Sequence, residues 1–131
     1  MNGQDGQNRQ DRQKFGEKGE NIAASYIERL GWRILAKNIR IGQGELDIAA
    51  MDGGDLVIVE VRARRIGKLL PAEMSVGPVK LRALIKTARK YVQKISYGGN
   101  WRIDIISVTE DEAGKLDIEL FSDITMGMKG L

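Results

Sequence analysis

The spacing of apolar positions changes along the chain from a helical period to a strand period, which predicts a mixed α/β protein. Near the start, apolar residues recur at helical spacing at Ile22, Ala23, Tyr26, Ile27 and Leu30. Gly31 supplies a stop signal after them, so we predict a first helix over 16–30. Residues 1–14 are rich in Gln, Asn, Gly, Asp and Arg without apolar periodicity, and we expect a disordered tail there.

Three strands are predicted next, at 32–41, 45–51 and 56–63, because these segments are enriched in large and branched residues. Turn-like residues 42–44 separate the first two strands. The tight turn Asp52-Gly53-Gly54-Asp55 separates the second from the third, so these two should form a hairpin. Residues 56–59 are apolar on both faces, which indicates a central strand that is covered on both sides.

A basic loop over 64–75 leads to a second helix, predicted from Pro78 to about Ile95. One face of this helix is apolar, and the other carries Arg82, Lys86, Arg89, Lys90 and Lys94. That basic face is either solvated surface or a surface that follows DNA. Two more strands are predicted at 101–108 and 116–121, so the element order indicates a mixed sheet flanked by helices, with a parallel crossover from the third strand to the fourth.

The amino-acid composition excludes several kinds of catalytic group and metal ligand, but it says less about the fold. A chain of 131 residues suits one compact unit, which we place at 15–131. The absence of Cys and His removes thiolate chemistry, disulfides and imidazole ligands, so a catalytic metal must be held by oxygen, which favours Mg²⁺ or Mn²⁺. We see no membrane span or signal segment and expect a cytoplasmic protein, and the net charge of +3 is compatible with a polyanionic partner without demonstrating one.

The predicted hairpin brings candidate catalytic residues together. If Gly53 and Gly54 are the central turn residues, Asp47 lies opposite Glu60, and like charges directly opposite each other destabilise a sheet. A divalent cation bound by both carboxylates would compensate, and strand alternation places Arg62 on the same face as Glu60. A metal with a fixed positive charge beside it suits phosphodiester hydrolysis. The alternative is a register slip, or acids that pair with neighbouring arginines on a solvated face.

Two helical residues are further candidates. Glu20 lies at the flank of the first helix's apolar face and could lean toward the same site, although an acid in a first turn is also favoured by the helix dipole. Lys80 flanks the apolar face of the second helix and is either a phosphate contact or surface charge.

Four motifs occur in order along the chain: Gly16-Glu17-Lys18-Gly19-Glu20, Asn38-Ile39-Arg40, Gly44-Glu45-Leu46-Asp47-Ile48-Ala49 and Val59-Glu60-Val61-Arg62-Ala63-Arg64, with Lys80 downstream. Together they resemble the YraN family of uncharacterised bacterial proteins. That family is similar to the restriction-endonuclease-like superfamily, and its motifs resemble those of archaeal Holliday-junction resolvases. The resemblance implies an α-β-β-β-α-β core.

The resemblance also implies roles for individual residues. Asp47 and Glu60 would be metal ligands, Glu20 a helix-borne acid of the site, and position 62 the superfamily's catalytic lysine. This chain has Arg62 there, and because arginine stays protonated it cannot act as a general base, although it can stabilise negative charge. Substrate contacts are expected from Arg40, Arg64 and Lys80, with strand-end hydrogen bonding as the alternative for Arg40 and a solvated basic edge as the alternative for Arg62 and Arg64.

We therefore expect a metal-dependent endonuclease that acts on DNA, in repair or recombination, with branched DNA a candidate substrate by analogy alone. One alternative is a catalytically impaired nucleic-acid-binding module of the same fold. Another is an adaptor protein of a DNA-processing assembly. A homodimer is expected only by analogy with resolvases, which match the two-fold symmetry of a junction.

Overall fold

The order of helices and strands is that of an α-β-β-β-α-β core with one additional strand. The computed structural model describes residues 3–66 and 77–125, apart from the side chains of residues 3–8 and 12. The elements are α1 Gly3–Arg29, β1 Arg33–Ile41, β2 Gly44–Asp52, β3 Asp55–Arg65, α2 Pro78–Lys94, β4 Trp101–Glu110 and β5 Leu116–Phe121. The predicted core order is confirmed, and strand bounds differ from the predicted ones by at most a few residues.

The first helix begins at Gly3, whereas the apolar period of the sequence predicted a start at residue 16. This segment contains several Gln, Arg and Lys residues, which are good helix formers, and no Pro that would end a helix. Apolar periodicity is absent from this segment, and its described side chains at 9–11, 13 and 14 are exposed, whereas Phe15 is buried. The guanidinium of Arg65 lies 4.6 Å from the centre of the Phe15 ring. The predicted basic loop also changes, because β3 continues to Arg65 and residues 67–76 lie outside the described part.

One five-stranded sheet, in the order β1-β2-β3-β4-β5, organises the molecule. Only β3 and β4 run parallel, and the other neighbours are antiparallel. The chain passes from β3 through α2 to β4, as the predicted crossover requires. In the β2–β3 hairpin Asp52 pairs with Asp55 and Ala50 with Val57, so the register counted from the two-glycine turn is confirmed.

Apolar side chains form one core on each face of the sheet. On the first face α1 packs mainly against β3, and this core includes Ala23, Ile27, Ile48, Val57, Val59 and Ile106. On the second face α2 packs mainly against β2, and this core includes Leu46, Ile58, Leu84, Ile85, Val92 and Ile103. Residues 56–59 of β3 are fully buried and contribute to both cores in alternation, which confirms a central strand covered on both sides.

A polar network around Arg102 closes the sheet at the end where β4 begins. The guanidinium donates hydrogen bonds to Asp52 and Asp55 of the hairpin turn, at 2.9 and 3.0 Å, and to Asp104. The Asp104 side chain is completely buried and also accepts a hydrogen bond of 2.8 Å from the backbone N–H of Asp123. The one guanidinium thus contacts three carboxylates, and the buried Asp104 among them has both an ionic partner and a backbone donor, so its burial is compensated. No helix in the described part of the chain is long and apolar enough to cross a membrane.

Candidate active site

Strand β2 is interrupted at Asp47. On one side the β1–β2 ladder pairs Lys37 with Ile48 and Ile39 with Leu46, so the position between them is skipped. On the other side the β2–β3 ladder ends with the pair of Ile48 and Val59, so it stops at the residue that follows Asp47 in the chain. The residue of β1 opposite the gap is Asn38, whose φ of 51° lies in the left-handed region. Asn adopts this region more readily than most residues do, which explains how β1 accommodates the irregularity.

The interruption also changes which way β2 faces. In an uninterrupted strand, residues two apart lie on the same side of the sheet. Here Leu46 packs in the core under α2, whereas Ile48 packs in the core under α1. The strand therefore turns over at Asp47, and the carboxyl group of this residue lies at the boundary between the two faces.

The side chain of Asp47 occupies the place where the β2–β3 ladder would have continued. Its Oδ2 accepts a hydrogen bond of 2.8 Å from the backbone N–H of Val61. This contact replaces a backbone acceptor, so the amide of β3 remains satisfied although the strands separate. The sequence predicted that Asp47 would face Glu60 across a regular ladder. The two carboxyl groups do come within hydrogen-bonding reach of each other, but through a side chain beyond the end of the ladder.

This proximity changes the protonation of both acids. Burial, followed by the negative charge of Asp47, raises the pKa of Glu60 to about 7. Burial also raises the pKa of Asp47, although the Val61 N–H and the hydrogen bond with Glu60 oppose the increase. Near neutral pH the pair therefore holds a proton for part of the time, as expected for two carboxyl groups that share a partly buried site.

Glu20 approaches the same pair from α1. Burial raises the pKa of Glu20, and the charges of Asp47 and Glu45 raise it further. The helix can come close here because Gly19, the preceding residue, packs directly against Ala63 of β3. A methyl group at position 19 would lie 2.5 Å from the Ala63 Cβ, so α1 could not approach as closely with any larger residue.

Arg62 lies beside Glu60 on the face of β3 that α2 partly covers. Its Nε is 3.7 Å from a carboxylate oxygen of Glu60, and the side chain is only 20% exposed. Among the residues that the structure describes, Nε and Nη2 of Arg62 have no hydrogen-bond partner although both atoms are buried. Such unsatisfied buried donors are uncommon, and a catalytic role or the binding of an ion is one explanation for them. An anion such as a phosphate would supply the acceptors.

The other residues that the sequence predicted for the site, Lys80, Arg64 and Arg40, lie on α2, β3 and β1. Lys80 is exposed in the first turn of α2, and its positive charge acts on Glu60. Arg64 is half-buried two residues beyond Arg62 on the same strand. Arg40 lies on β1, and its ion pair with Glu45, at 3.9 Å, is exposed and contributes little to stability.

Two charged residues that sequence reasoning did not select also act on the site. Glu45 raises the pKa of Asp47 and of Glu20, and Lys37 opposes the increase at Glu20. Glu45 could have been selected from the sequence, because it lies two residues before Asp47 on the same strand. The influence of Lys37 depends on the register of β1 against β2, which has a shift between Ile34 and Ala36 that local periodicity does not reveal.

The donor set fits an open divalent-cation site. Within residues 3–66 and 77–125, no group of three or more acidic residues is arranged to enclose a metal. Mg²⁺ nevertheless binds commonly through one or two carboxylates together with waters and phosphate oxygens. Asp47 and Glu60 supply two converging carboxyl groups whose mutual repulsion a cation would relieve.

Comparison with known proteins assigns the chain to a family. Residues 19–108 match the uncharacterised protein family UPF0102, and this segment contains the whole site just described. A UPF0102 protein of Syntrophus aciditrophicus is 40% identical over 84% of this chain and 87% of its own length. Relatives with the same description in Dehalococcoides mccartyi and Geobacter sulfurreducens are 44% and 41% identical, over 74% and 72% of this chain and 81% and 75% of their own lengths. The chain therefore belongs to the UPF0102 family, which is the YraN family that its motifs resemble.

Proposed function

We propose that the protein is a metal-dependent endonuclease that hydrolyses phosphodiester bonds in DNA. The observation that carries the proposal is the Arg62 guanidinium, whose buried Nε and Nη2 have no hydrogen-bond acceptor among the described residues although Nε lies 3.7 Å from Glu60 of the carboxyl pair. A cation site adjacent to an anion-binding donor is the combination that phosphodiester hydrolysis requires. The chain contains no His or Cys, which leaves carboxylates as the ligands of choice for Mg²⁺ or Mn²⁺.

Asp47 and Glu60 would hold the cation, which when bound supplies Lewis-acid polarisation of the phosphoryl oxygens and activation of water. For binding, Glu60 must lose the proton that its raised pKa retains near pH 7. Asp47 keeps its hydrogen bond to the Val61 N–H, which fixes the orientation of its carboxylate. Both ligands are therefore positioned by the sheet before any substrate arrives.

Arg62 would bind the scissile phosphate and stabilise the negative charge that increases on it in the transition state. The guanidinium is suited to this role because it stays protonated and can donate two parallel hydrogen bonds to phosphate oxygens. Glu20, whose pKa is also raised, would support the metal site from α1 by accepting a hydrogen bond from an ordered water. Lys80, Arg64 and Arg40 would contact phosphates that flank the scissile bond.

DNA is the proposed substrate, with cleavage to a 5′-phosphate and a 3′-hydroxyl. Branched DNA is one substrate class to test, and a homodimer would match the two-fold symmetry of a four-way junction. We place the activity in the cytoplasm, in DNA repair or recombination. Size measurement by light scattering, with and without junction DNA, tests the dimer.

Arg62 itself favours a second candidate, a nucleic-acid-binding module without turnover. The resemblance expects a lysine at this position, and an arginine cannot transfer a proton. In this alternative the same site binds a phosphate without cleaving the chain. Arg62→Lys distinguishes the two: a cleavage rate that rises from a low or absent wild-type level supports the impaired module, whereas a rate that falls supports a catalytic role of the arginine.

The decisive experiment is a nuclease assay on the purified full chain. Supercoiled, linear and four-way-junction DNA would be incubated with Mg²⁺, with Mn²⁺ or with a chelator. The test variant is Asp47→Asn, which keeps an oxygen that can accept from Val61 but removes the charge. The matched control is Asp117→Asn, an exposed Asp of β5.

We expect metal-dependent cleavage by the wild type and by Asp117→Asn, with a loss of at least about a hundredfold in Asp47→Asn. Circular dichroism would verify that all three proteins are folded. Binding without cleavage would replace the endonuclease proposal with the binding module. Absence of both would leave the adaptor hypothesis.

A further inference from the structure

Helix α2 has a charge composition that differs from the rest of the molecule. Its 17 residues, Pro78–Lys94, contain six basic side chains and no acidic one. The six are Lys80, Arg82, Lys86, Arg89, Lys90 and Lys94. Because the whole chain has a net charge of only +3, all other residues together carry −3. The positive charge of this protein is therefore concentrated on one element.

The basic side chains of α2 are available to a partner. Five are exposed, and Arg89 is half-exposed. Across residues 3–66 and 77–125 the ion pairs of the protein involve Lys18, Arg40, Arg62, Arg65 and Arg102, and no side chain of α2 takes part in one. Like charges on one helix that form no ion pair within the described residues raise the free energy of the folded state modestly, and a polyanion would relieve that repulsion.

The opposite face of the helix is already occupied. Leu84, Ile85, Ala88, Tyr91 and Val92 are buried in the core under α2. An amphipathic helix that binds a lipid surface inserts its apolar face, and here that face is unavailable. The exposed basic face is therefore suited to phosphates presented by a rigid polymer rather than to a membrane.

The position of α2 relates this face to the candidate active site. Leu46, the residue before Asp47, packs in the same core as Leu84 and Ile85 of α2, so this helix lies over the strand that carries Asp47. The charge of Lys80, in the first turn, also acts on Glu60. At about 1.5 Å per residue, the 17 residues of the helix are roughly 25 Å long, which corresponds to about seven base pairs of a duplex.

We propose that the exposed face of α2 is the surface on which duplex DNA lies, with the duplex following the helix from Lys80 toward Lys94. The inference rests on the proposed function for the identity of the polyanion, and it adds which surface holds the duplex and in which direction from the site it extends. Three residues provide the test because none of them acts on the pKa of Asp47 or Glu60, so they should affect binding without touching the chemistry: Lys86, Lys90 and Lys94.

The experiment measures binding of a fluorescent DNA duplex by anisotropy, over a series of salt concentrations and in the presence of a chelator. The test protein carries Lys86→Gln, Lys90→Gln and Lys94→Gln. The matched control carries Arg29→Gln, Arg33→Gln and Lys115→Gln, which remove the same charge from exposed positions outside α2. Binding of anionic phospholipid vesicles is measured in parallel.

We expect the α2 variant to lower the dependence of log affinity on log salt by about 2 to 3, and to weaken binding at least about tenfold, because each phosphate contact contributes about 0.9 to that slope. The control variant should retain most of the wild-type affinity. Equal losses in the two variants would mean that only net charge matters, and the inference would be wrong. No loss in the α2 variant, or wild-type binding to vesicles but not to the duplex, would also overturn it.

The outcomes separate this inference from the proposed function. If the wild type binds the duplex through α2 but never cleaves it, the proposed DNA-binding surface is supported and the endonuclease proposal is refuted. If the wild type cleaves DNA and the α2 variant binds the duplex as well as the wild type does, the endonuclease proposal is supported and the proposed DNA-binding surface is refuted.

Discussion

Two glycines of α1, three residues apart, allow the helix–sheet contact beside Glu20 to be tested directly. Gly16 has open space where a Cβ would be placed. At Gly19 the same atom would lie 2.5 Å from the Ala63 Cβ, well inside the distance at which two methyl groups can pack. We therefore compare Gly16→Ala with Gly19→Ala, which make the same chemical change in the same helix.

The expected energies follow from two effects. Replacing Gly by Ala inside a helix stabilises it by about 1 kcal/mol, and both variants receive this gain. At Gly19 the added methyl also forces α1 about 1 Å away from β3, and overpacking of this kind costs about 1–3 kcal/mol. Gly16→Ala should therefore be more stable than the wild type by about 1 kcal/mol, while Gly19→Ala should be neutral or less stable by up to about 2 kcal/mol.

Urea unfolding monitored by circular dichroism measures both free energies. The difference between the variants, about 1–3 kcal/mol, is the informative quantity because the common helix-propensity gain cancels. Mn²⁺ titration of the same proteins provides a second measurement, since displacement of α1 moves Glu20 away from the carboxyl pair. If both alanines stabilise the protein equally and leave Mn²⁺ affinity unchanged, the close contact does not position α1.

Three further predictions concern single side chains. The pKa of Glu60 is raised from 4.5 to about 7, so between these pH values the folded state holds a proton that the unfolded state has released. The resulting stabilisation of the folded state is complete below about pH 4.5 and is lost as the pH rises through 7. Glu60→Gln should consequently be more stable than the wild type above about pH 7 by about 3 kcal/mol, and similar to it near pH 4, and parallel pH profiles in urea unfolding would contradict this. Asn38→Val should cost about 1–2 kcal/mol because φ is positive there, whereas Asn38→Gly should be nearly neutral; equal losses would argue against a backbone effect. Asp104→Asn should lower the melting temperature sharply, with a loss of about 3–5 kcal/mol from the buried ionic network, while Asp117→Asn at the surface should change stability by less than about 0.5 kcal/mol.

The parts of the fold that could be predicted from the sequence are those with a local period of apolar residues. The helices and strands that pack apolar faces on the sheet show their periods in the sequence, and the two-glycine turn sets the hairpin register. The N-terminal part of α1 could not be found in this way, because its residues are polar and show no apolar period. The Arg102 network could not be found either, since its members are 47 and 50 residues apart in the chain and follow no local pattern.

The candidate site was predictable in its residues but not in its geometry. Counting from Gly53 and Gly54 placed Asp47 against Glu60, and alternation placed Arg62 beside Glu60. Two features remained hidden: the left-handed backbone of Asn38 and the interruption of β2. Neither changes the pattern of apolar residues, and each becomes visible only when three strands are aligned with one another.

The point at which β2 turns over has a consequence for communication within the molecule. A sheet covered on both sides ordinarily separates two groups of side chains, so that an event on one side leaves the other unaffected. At Asp47 a single carboxylate interacts electrostatically with Glu20 from the α1 side and with Glu60 from the α2 side. A displacement of α1, which carries Glu20, would therefore change the electrostatic environment of a carboxylate that also interacts with Glu60 on the opposite face of the sheet.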